Sequence, residues 1–485
     1  MQEIQETRAT RETRVTGIFR RSALTAASFV LAGCASVGMD QAVRETNETT
    51  LEFTQGKLEL SRTREQQQAR SQLASELLAG PLGMGDAVQL ALANSPAVQT
   101  LLAQSWSDLA SANQGSRMAN PVFTFERLRF GDELELGRLL SFGLLDLLTL
   151  PQRQAISRGQ VAQAKVQLSA NVVEQVTQVR QAWVRAVAAQ QAAQYAVQVN
   201  ASAQASAELA RRMQQVGNFT RLQRARQHAF YAEATAQLAS AQHAATASRE
   251  ELIRLLGLSD QQAVQLKLPE RLPDLPKEPR QPGVVTANAM QQRLDVQMAR
   301  HQLEVAGKSQ GLNLLNSLVD VELGLRRDTV FDNAAGTSTP RKGYELGIRL
   351  PIFDWGSAQR DAMNAQSLAA ANRYESTLRN ASSQLRESYS AYRTAYDVAR
   401  HYRDEIVPLR KTMADENVLR YNGMLIGVFE LLADTREQIA SVTAAINASQ
   451  QFWLADAALA ASMTGKPTTL MMAAPTSSGG ETASH

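Results

Sequence analysis

The residue types that carry chemistry are sparse and scattered in this chain. Its histidines are His228, His243, His301, His401 and His485, and none has another histidine or a cysteine at metal-ligand spacing. No glycine-rich phosphate loop and no nucleophile-elbow motif is present. Methionines such as Met213, Met298, Met424 and the pair Met471-Met472 offer soft thioethers that suit copper. Spread along helical tracts, they read as core filler instead. The one cysteine, Cys34, directly follows Leu31-Ala32-Gly33. These residue types imply no cofactor, no resident metal and no enzymatic reaction.

The surroundings of Cys34 give it a different chemistry. Arg20-Arg21 precede a short apolar stretch, Ser22 to Ala32, which ends in small residues. A basic start, an apolar middle and a small-residue break are the marks of an export signal. Leu31-Ala32-Gly33-Cys34 is similar to the bacterial lipobox, in which signal removal leaves a lipid-modified cysteine as the first mature residue. Residues 1–33 are the expected signal and Cys34 the expected lipidation site. Ala35 and Ser36 lack the aspartate associated with inner-membrane retention, so the same resemblance implies delivery to the outer membrane. Met1 to Arg14 is long and acidic for a signal, and Val15 is an alternative start if its codon is GTG.

Net charge is +3. Residues 1–33 hold five Arg and three Glu, so 5 − 3 leaves only +1 for the remainder. That balance gives no electrostatic case for nucleic-acid binding. No run of 18 apolar residues exists, so no segment reads as a spanning helix.

The elements that would position any site are long. Between Gly159 and Gly217 there is neither Gly nor Pro, and Ala and Gln dominate, a composition that favours helix. Leu168, Val172, Val176, Val179, Trp183 and Val187 are spaced 4, 4, 3, 4 and 4. Leu378, Ala381, Leu385, Tyr389, Tyr392 and Tyr396 are spaced 3, 4, 4, 3 and 4. Each set makes one apolar stripe along a helix, as in coiled-coil packing. Helical tracts of roughly 60–65 residues span about 90–100 Å. Pro408 predicts a kink or break in the second.

Two shorter stretches have period two. Val319, Val321, Leu323 and Leu325 alternate with Asp320, Glu322, Gly324 and Arg326, and Tyr344, Leu346, Ile348 and Leu350 alternate with Glu345, Gly347 and Arg349. Runs of about ten residues with one apolar and one charged face suit a tilted strand between lipid and a wet lumen. Tyr344, Phe353 and Trp355 are the expected aromatic girdle. Pro121 to Phe130 and Leu134 to Leu144 form a second pair with interrupted alternation and a Gly131-Asp132 turn. Four strands cannot close a barrel, and lipid tolerates no open edge, so several copies must share one.

The order of these features repeats at an offset of about 200 residues. Ala97-Val98-Gln99 lines up with Asp295-Val296-Gln297, Leu150-Pro151 with Leu350-Pro351, and Val216-Gly217 with Asn422-Gly423. Between the halves lies a spacer with prolines at 269, 273, 276, 279 and 282, which cannot be helical. The reading is a duplicated α-β-β-α unit.

Together the motifs resemble the outer membrane factor family, the TolC-like outer membrane efflux lipoproteins, from about Leu82 to Lys466. Asp86-Ala87-Val88-Gln89-Leu90-Ala91-Leu92-Ala93-Asn94-Ser95-Pro96 is similar to the family's opening helix. Arg293-Leu294-Asp295 stands where many members have Arg-Pro-Asp. Leu350-Pro351-Ile352-Phe353-Asp354-Trp355-Gly356 matches the strand-to-helix junction, and Tyr421-Asn422-Gly423 with Val428-Phe429-Glu430-Leu431-Leu432 matches the turn at the tunnel's inner end. The resemblance implies a mainly α fold with a membrane β-barrel: a homotrimer whose twelve-stranded barrel continues as a periplasmic α-helical tunnel. Its implied partners are a periplasmic adaptor, an inner-membrane pump and outer-membrane lipid, with no nucleic acid.

The implied organisation is a signal at 1–33 and an N-terminal mature linker at 34–81. A first repeat follows at 82–258 with its hairpin at 121–144. A Pro-rich connector occupies 259–283, a second repeat 284–466 with its hairpin at 317–353, and a disordered tail 467–485. Gly217, Tyr421, Asn422 and Gly423 are the implied adaptor-docking tips, the glycines being expected at left-handed positions. Glu430 is a possible member of an acidic pore ring, although the pattern's second acidic position is Ala433 here, with Asp434 one step on. The implied function is a passive exit channel of a tripartite efflux or type I secretion system in the outer membrane. The competing reading is a periplasmic coiled-coil lipoprotein acting as scaffold or adaptor.

Overall fold

A computed structural model describes residues 38–281, 290, 292–316, 320–349, 352–353 and 355–467, excluding the side chains of 313–320. The signal, Cys34, Gly283, Leu350, Pro351, Asp354 and residues 468–485 lie outside the described residues. The chain forms two units, one around 106–164 and 304–367 and the other around 43–105, 165–303 and 368–467.

In the first unit a four-stranded antiparallel sheet has the order β1-β2-β3-β4, with β1 Val122–Phe130, β2 Glu133–Gly143, β3 Asp320–Asp332 and β4 Thr337–Arg349. Gly131, with φ +59°, supplies the left-handed residue of the tight β1–β2 turn. The inner pair is set by Leu139↔Arg326 and Leu140↔Leu325, and the outer ones by Phe123↔Leu140 and Leu323↔Leu346. Among the described residues the outer edges of β1 and β4 have no partner strand.

The chain enters and leaves this sheet through helices. These are α1 Met39–Thr54, α2 Arg64–Leu77, α3 Met84–Asn94, α4 Pro96–Gln114, α5 Leu144–Leu148 and α6 Leu150–Gln215. Then come α7 Arg221–Leu256, α8 Asp260–Gln265, α9 Leu294–Asn316, α10 Ser357–His401, α11 Val407–Asn422 and α12 Val428–Thr464. With 66 residues, α6 is about 100 Å long. Its expected stripe, Leu168 to Val187, is buried, and so are Val173, Val184 and Ala186 on its flanks. The helix is thus covered on more than one face there.

The segment 34–81, read from sequence as a linker, holds α1 and α2. The buried stripe of α1 is partly hydroxyl: Met39, Ala42, Val43, Thr46, Thr50 and Thr54. Thr50 Oγ1 satisfies itself on the Thr46 carbonyl at 2.8 Å. A threonine capping box with Gln66 starts α2.

In the second unit, Leu385, Tyr392, Tyr396 and Ala399 of α10 pack on Ala448, Phe452, Ala455 and Leu459 of α12. The ring of Phe452 lies 5.6 Å from Tyr392 and 5.7 Å from Tyr396. The same tyrosines hold the Pro-rich connector. Tyr396 Oη donates to the carbonyls of Pro276 (3.1 Å) and Lys277 (3.0 Å). Tyr392 Oη accepts from the Arg280 amide (3.1 Å), and Tyr389 Oη donates to the Arg280 carbonyl (3.2 Å). Trp453 Nε1 donates to the Pro273 carbonyl at 3.1 Å. An extended proline-rich chain makes no internal hydrogen bonds, so its buried carbonyls need such external donors.

Pro408 does not end the helix. Tyr402–Ile406 forms a π turn in which the Val407 amide reaches back to the Tyr402 carbonyl, and Pro408 falls in the first turn of α11. The extra residue relieves the clash of the proline ring with the preceding turn.

A candidate channel wall and two helical turns

Register sorts the strand side chains onto two faces, because opposed residues share a face and alternate residues do not. One face carries Glu126, Glu133, Glu135, Glu322, Asp328, Asp332 and Glu345 with Arg326, Arg341 and Arg349. Val122, Leu128 and Phe130 also fall here, which explains the interrupted alternation of the first hairpin. Arg326 is the hub of this face. It meets Asp328 at 2.8 Å, Glu126 at 3.3 Å and Glu345 at 4.0 Å, joining three strands.

The opposite face carries Phe123, Phe125, Leu140, Phe142, Val321, Leu323, Leu325, Tyr344, Leu346 and Ile348. Most of these are solvent-exposed, Tyr344 at 81% and Phe123 at 63%. At the helical end of the sheet, Leu148, Ile352, Phe353 and Trp355 are exposed as well, Phe353 at 99%. A contiguous apolar belt of this kind marks contact with lipid or protein. Among the described residues no helix is long and apolar enough to cross a membrane.

The two turns that follow α6 and α11 share one geometry. In the first, the Asn218 amide bonds the Met213 carbonyl at 2.9 Å, with Gly217 left-handed at φ +79°. In the second, the Leu425 amide bonds the Arg420 carbonyl at 2.8 Å, and the left-handed residue is Met424 at φ +59°. Both are Schellman closures. The expected left-handed role of Gly423 is therefore corrected: it sits at φ −81° as the C-cap. Val216-Gly217 corresponds by geometry to Gly423-Met424, one residue later than the sequence alignment had it. The rings of Phe219 and Phe429 meet at 4.5 Å, tilted by 30°, and tie the two turns together. Val216, Leu222, Leu419, Met424 and Leu425 are left exposed around them, with Tyr421 partly so.

Glu430 lies in the first turn of α12, exposed, and makes no ion pair or side-chain hydrogen bond among the described residues. Asp434, by contrast, accepts from the amide of Asn417. Ala433 is exposed beside them.

Two arrangements carry signals that composition hides. Asn94 Nδ2 donates to the Gly257 carbonyl at 2.9 Å, fixing the end of α7 against the Ser95-Pro96 corner. Arg293, fully buried, pairs with Asp295 at 2.7 Å and reaches the Ala381 carbonyl at 3.3 Å. There the backbone of Gly465 packs on Leu294 and Asp295. The two motifs singled out in sequence thus seat the C-termini of α7 and α12.

A cavity of about 360 Å³ opens beside Arg180, Arg280, Trp453 and Asp456. Arg280 pairs with Asp456 at 3.0 Å, and Arg180 lies over the Phe53 ring at 4.6 Å. Burial raises the Asp456 carboxyl above its ordinary range, and Arg280 and Arg180 offset part of that. Burial lowers Arg180 in turn. Among the described residues no group of His, Cys, Asp or Glu is placed to hold a metal ion.

Residues 285–460 match the sequence profile of the outer membrane efflux protein family. No curated protein matches the chain. Among solved structures, the outer membrane protein VceC of Vibrio cholerae superposes with TM-score 0.65 at 16% identity, covering 79% of this chain and 96% of that one. The CmeC outer membrane channel of Campylobacter jejuni gives 0.66 at 14% identity, covering 84% and 89%. The open-state MtrE outer membrane channel of Neisseria gonorrhoeae gives 0.62 at 18% identity, covering 79% and 89%. At these identities the likeness is one of fold. Sequence over 285–460 is thus similar to the outer membrane efflux protein family, and the fold over most of the chain is similar to that of these outer membrane channels.

Proposed function

We propose that the protein is a passive exit channel in the outer membrane, handing on substrate delivered by an inner-membrane pump through a periplasmic adaptor. The observation that carries this is the sheet: one face carries an exposed apolar belt, the other is charged, and among the described residues β1 and β4 are unpaired at their outer edges. An open edge in hydrocarbon leaves backbone groups unsatisfied, at several kcal/mol each. The edges close when β4 of one copy pairs with β1 of the next. Three copies give a twelve-stranded barrel with the Arg326 face lining the lumen, and the two halves of each chain act as duplicated α-β-β-α units.

The turns at Gly217 and at Tyr421-Asn422-Gly423 serve as adaptor-docking tips, since exposed apolar side chains there need a partner. Unpaired Glu430, repeated three times about the axis, would form a carboxylate ring favouring cations. Cys34 carries the lipid anchor, and residues 1–33 are the signal removed before it. The repeat, connector and tail boundaries given from sequence stand as parts of this proposal.

The test is planar-bilayer conductance of the full-length protein, together with its migration on gels with and without boiling. A stable channel and a heat-sensitive oligomer are expected. A monomer that migrates identically before and after boiling and conducts nothing would leave the scaffold reading in its place.

A further inference from the structure

The apolar face of the sheet is not apolar throughout. Between the belt and the hairpin turns it carries Arg127 and Arg129 of β1, Arg138 of β2, Arg327 of β3 and Lys342 of β4. Leu139 opposes Arg326, so Arg138 and Arg327 stand one step nearer the turns at a common level, and Arg327 opposes Lys342 directly. At a strand spacing of about 4.8 Å, cations on three neighbouring strands fall within about 10 Å.

No carboxylate lies on this face of the sheet; every described acidic residue of the strands is on the other. None of the five cations makes an ion pair or side-chain hydrogen bond among the described residues, and all but the half-buried Arg138 are exposed. Like charges set directly opposite repel. A row of them on a face otherwise fit for hydrocarbon requires counter-charge from outside the protein.

The position of the row says where that charge sits. From Ile348 to Lys342 is six residues, or about 20 Å along the strand. Beyond the row the chain reaches only the two hairpin turns, whereas the helices leave from the other end. Taking the channel reading above, on which this inference rests, the row lies at the headgroup level of the leaflet away from the helices. We infer that these five residues form a docking band for phosphate-bearing lipid headgroups of that leaflet. Guanidinium groups suit this because they bind phosphate bidentately, and Arg supplies four of the five. The charge separation between faces also keeps the band from being neutralised internally by the lumen acids.

The test uses the full-length oligomer in neutral detergent, mixed with a bis-phosphorylated acyl glycolipid, the same glycolipid with its phosphates removed, or phosphatidylcholine. Lipid retained after gel filtration is measured, and unboiled gel migration is followed on the same samples. The phosphorylated glycolipid should be retained selectively, less so as salt rises. The variant Arg138→Gln/Arg327→Gln/Lys342→Gln should lower that retention on the order of a hundredfold at low salt. Arg341→Gln/Arg349→Gln, on the other face, should leave it unchanged. Equal retention by the triple variant, equal retention of the dephosphorylated lipid, or full competition by an equimolar amount of inorganic phosphate overturns the band. Oligomer persisting in those same samples shows that the channel reading survives; its absence in the parent protein shows that the reading itself has failed.

Discussion

Replacing Gly257 by alanine separates two costs that a glycine at a helix end conceals. The residue is left-handed at φ +66°, and a Cβ there would come within 2.5 Å of Pro96 Cδ and 2.7 Å of Ser95 Cα. Left-handed backbone costs an L residue about 1 kcal/mol. Contacts that want about 3.5–4 Å must be recovered by moving the backbone corner that starts α4, and forced overpacking adds about 1–3 kcal/mol. The expected loss is therefore about 2–4 kcal/mol. Gly217→Ala is the internal control: φ is +79°, yet no atom lies within 4 Å of the added Cβ. Only the backbone term applies, about 1 kcal/mol. Asparagine, which tolerates left-handed backbone, should be nearly neutral at 217 and still costly at 257. Guanidinium midpoints with unchanged slope give these differences, followed through the fluorescence of buried Trp183. Equal losses at the two glycines would refute the reasoning, because the crowding against Ser95-Pro96 would then contribute nothing.

Tyr396→Phe should leave the Pro276 and Lys277 carbonyls without their donor, costing about 1–3 kcal/mol. Faster tryptic cleavage at Lys277 or Arg280 is the readout, and unchanged cleavage would show that packing alone holds the connector. Asp456 is raised by burial, so its contribution to stability is present below its unfolded value of 3.8 and is lost as pH climbs through the folded one. Asp456→Asn lacks this term, and the stability of parent minus variant should fall as pH increases from about 4. A difference that is flat or grows with pH rejects it. Cys34→Ser should abolish acyl labelling while oligomer still forms, since a barrel supplies its own membrane attachment; undiminished labelling would remove Cys34 as the lipidation site.

What could be read in advance was what repeats. Alternation in 319–326 and 344–350 announced a hairpin, because period two survives even where turns are ill-defined, and the apolar residues from Leu168 to Val187 announced their helix. What could not be read was what uses a residue type for an uncharacteristic end. The stripe of Tyr389, Tyr392 and Tyr396 looked purely hydrophobic, and its hydroxyls turn out to bind a connector more than a hundred residues away in sequence. The buried face of α1 is half threonine, so hydropathy did not show it as a helix. At the second turn, residue statistics point to Gly423 for the left-handed position, whereas the hydrogen bonds give that conformation to Met424. For the candidate site, strand faces followed from periodicity, but the Arg326 hub needed the register, which depends on pairing between strands nearly 200 residues apart.

The π turn at Tyr402–Ile406 sets which one-residue changes in chain length become rotation about the helix axis. Each residue in a helix advances the azimuth by about 100°, and this turn contains one more residue than an α turn would. Deleting a single residue inside it would therefore restore regular winding with Asn417, Tyr421 and Met424 facing almost where they do now. Deleting one from the regular helix between Val407 and Asn417 would instead swing all three around the axis by about that angle, with none of them altered. Asn417 would leave Asp434, and a different set of side chains would meet α12. Homologous tips can thus be re-aimed by a one-residue change in length upstream, so a comparison that aligns only the tip residues would see no difference between two proteins whose tips face different ways.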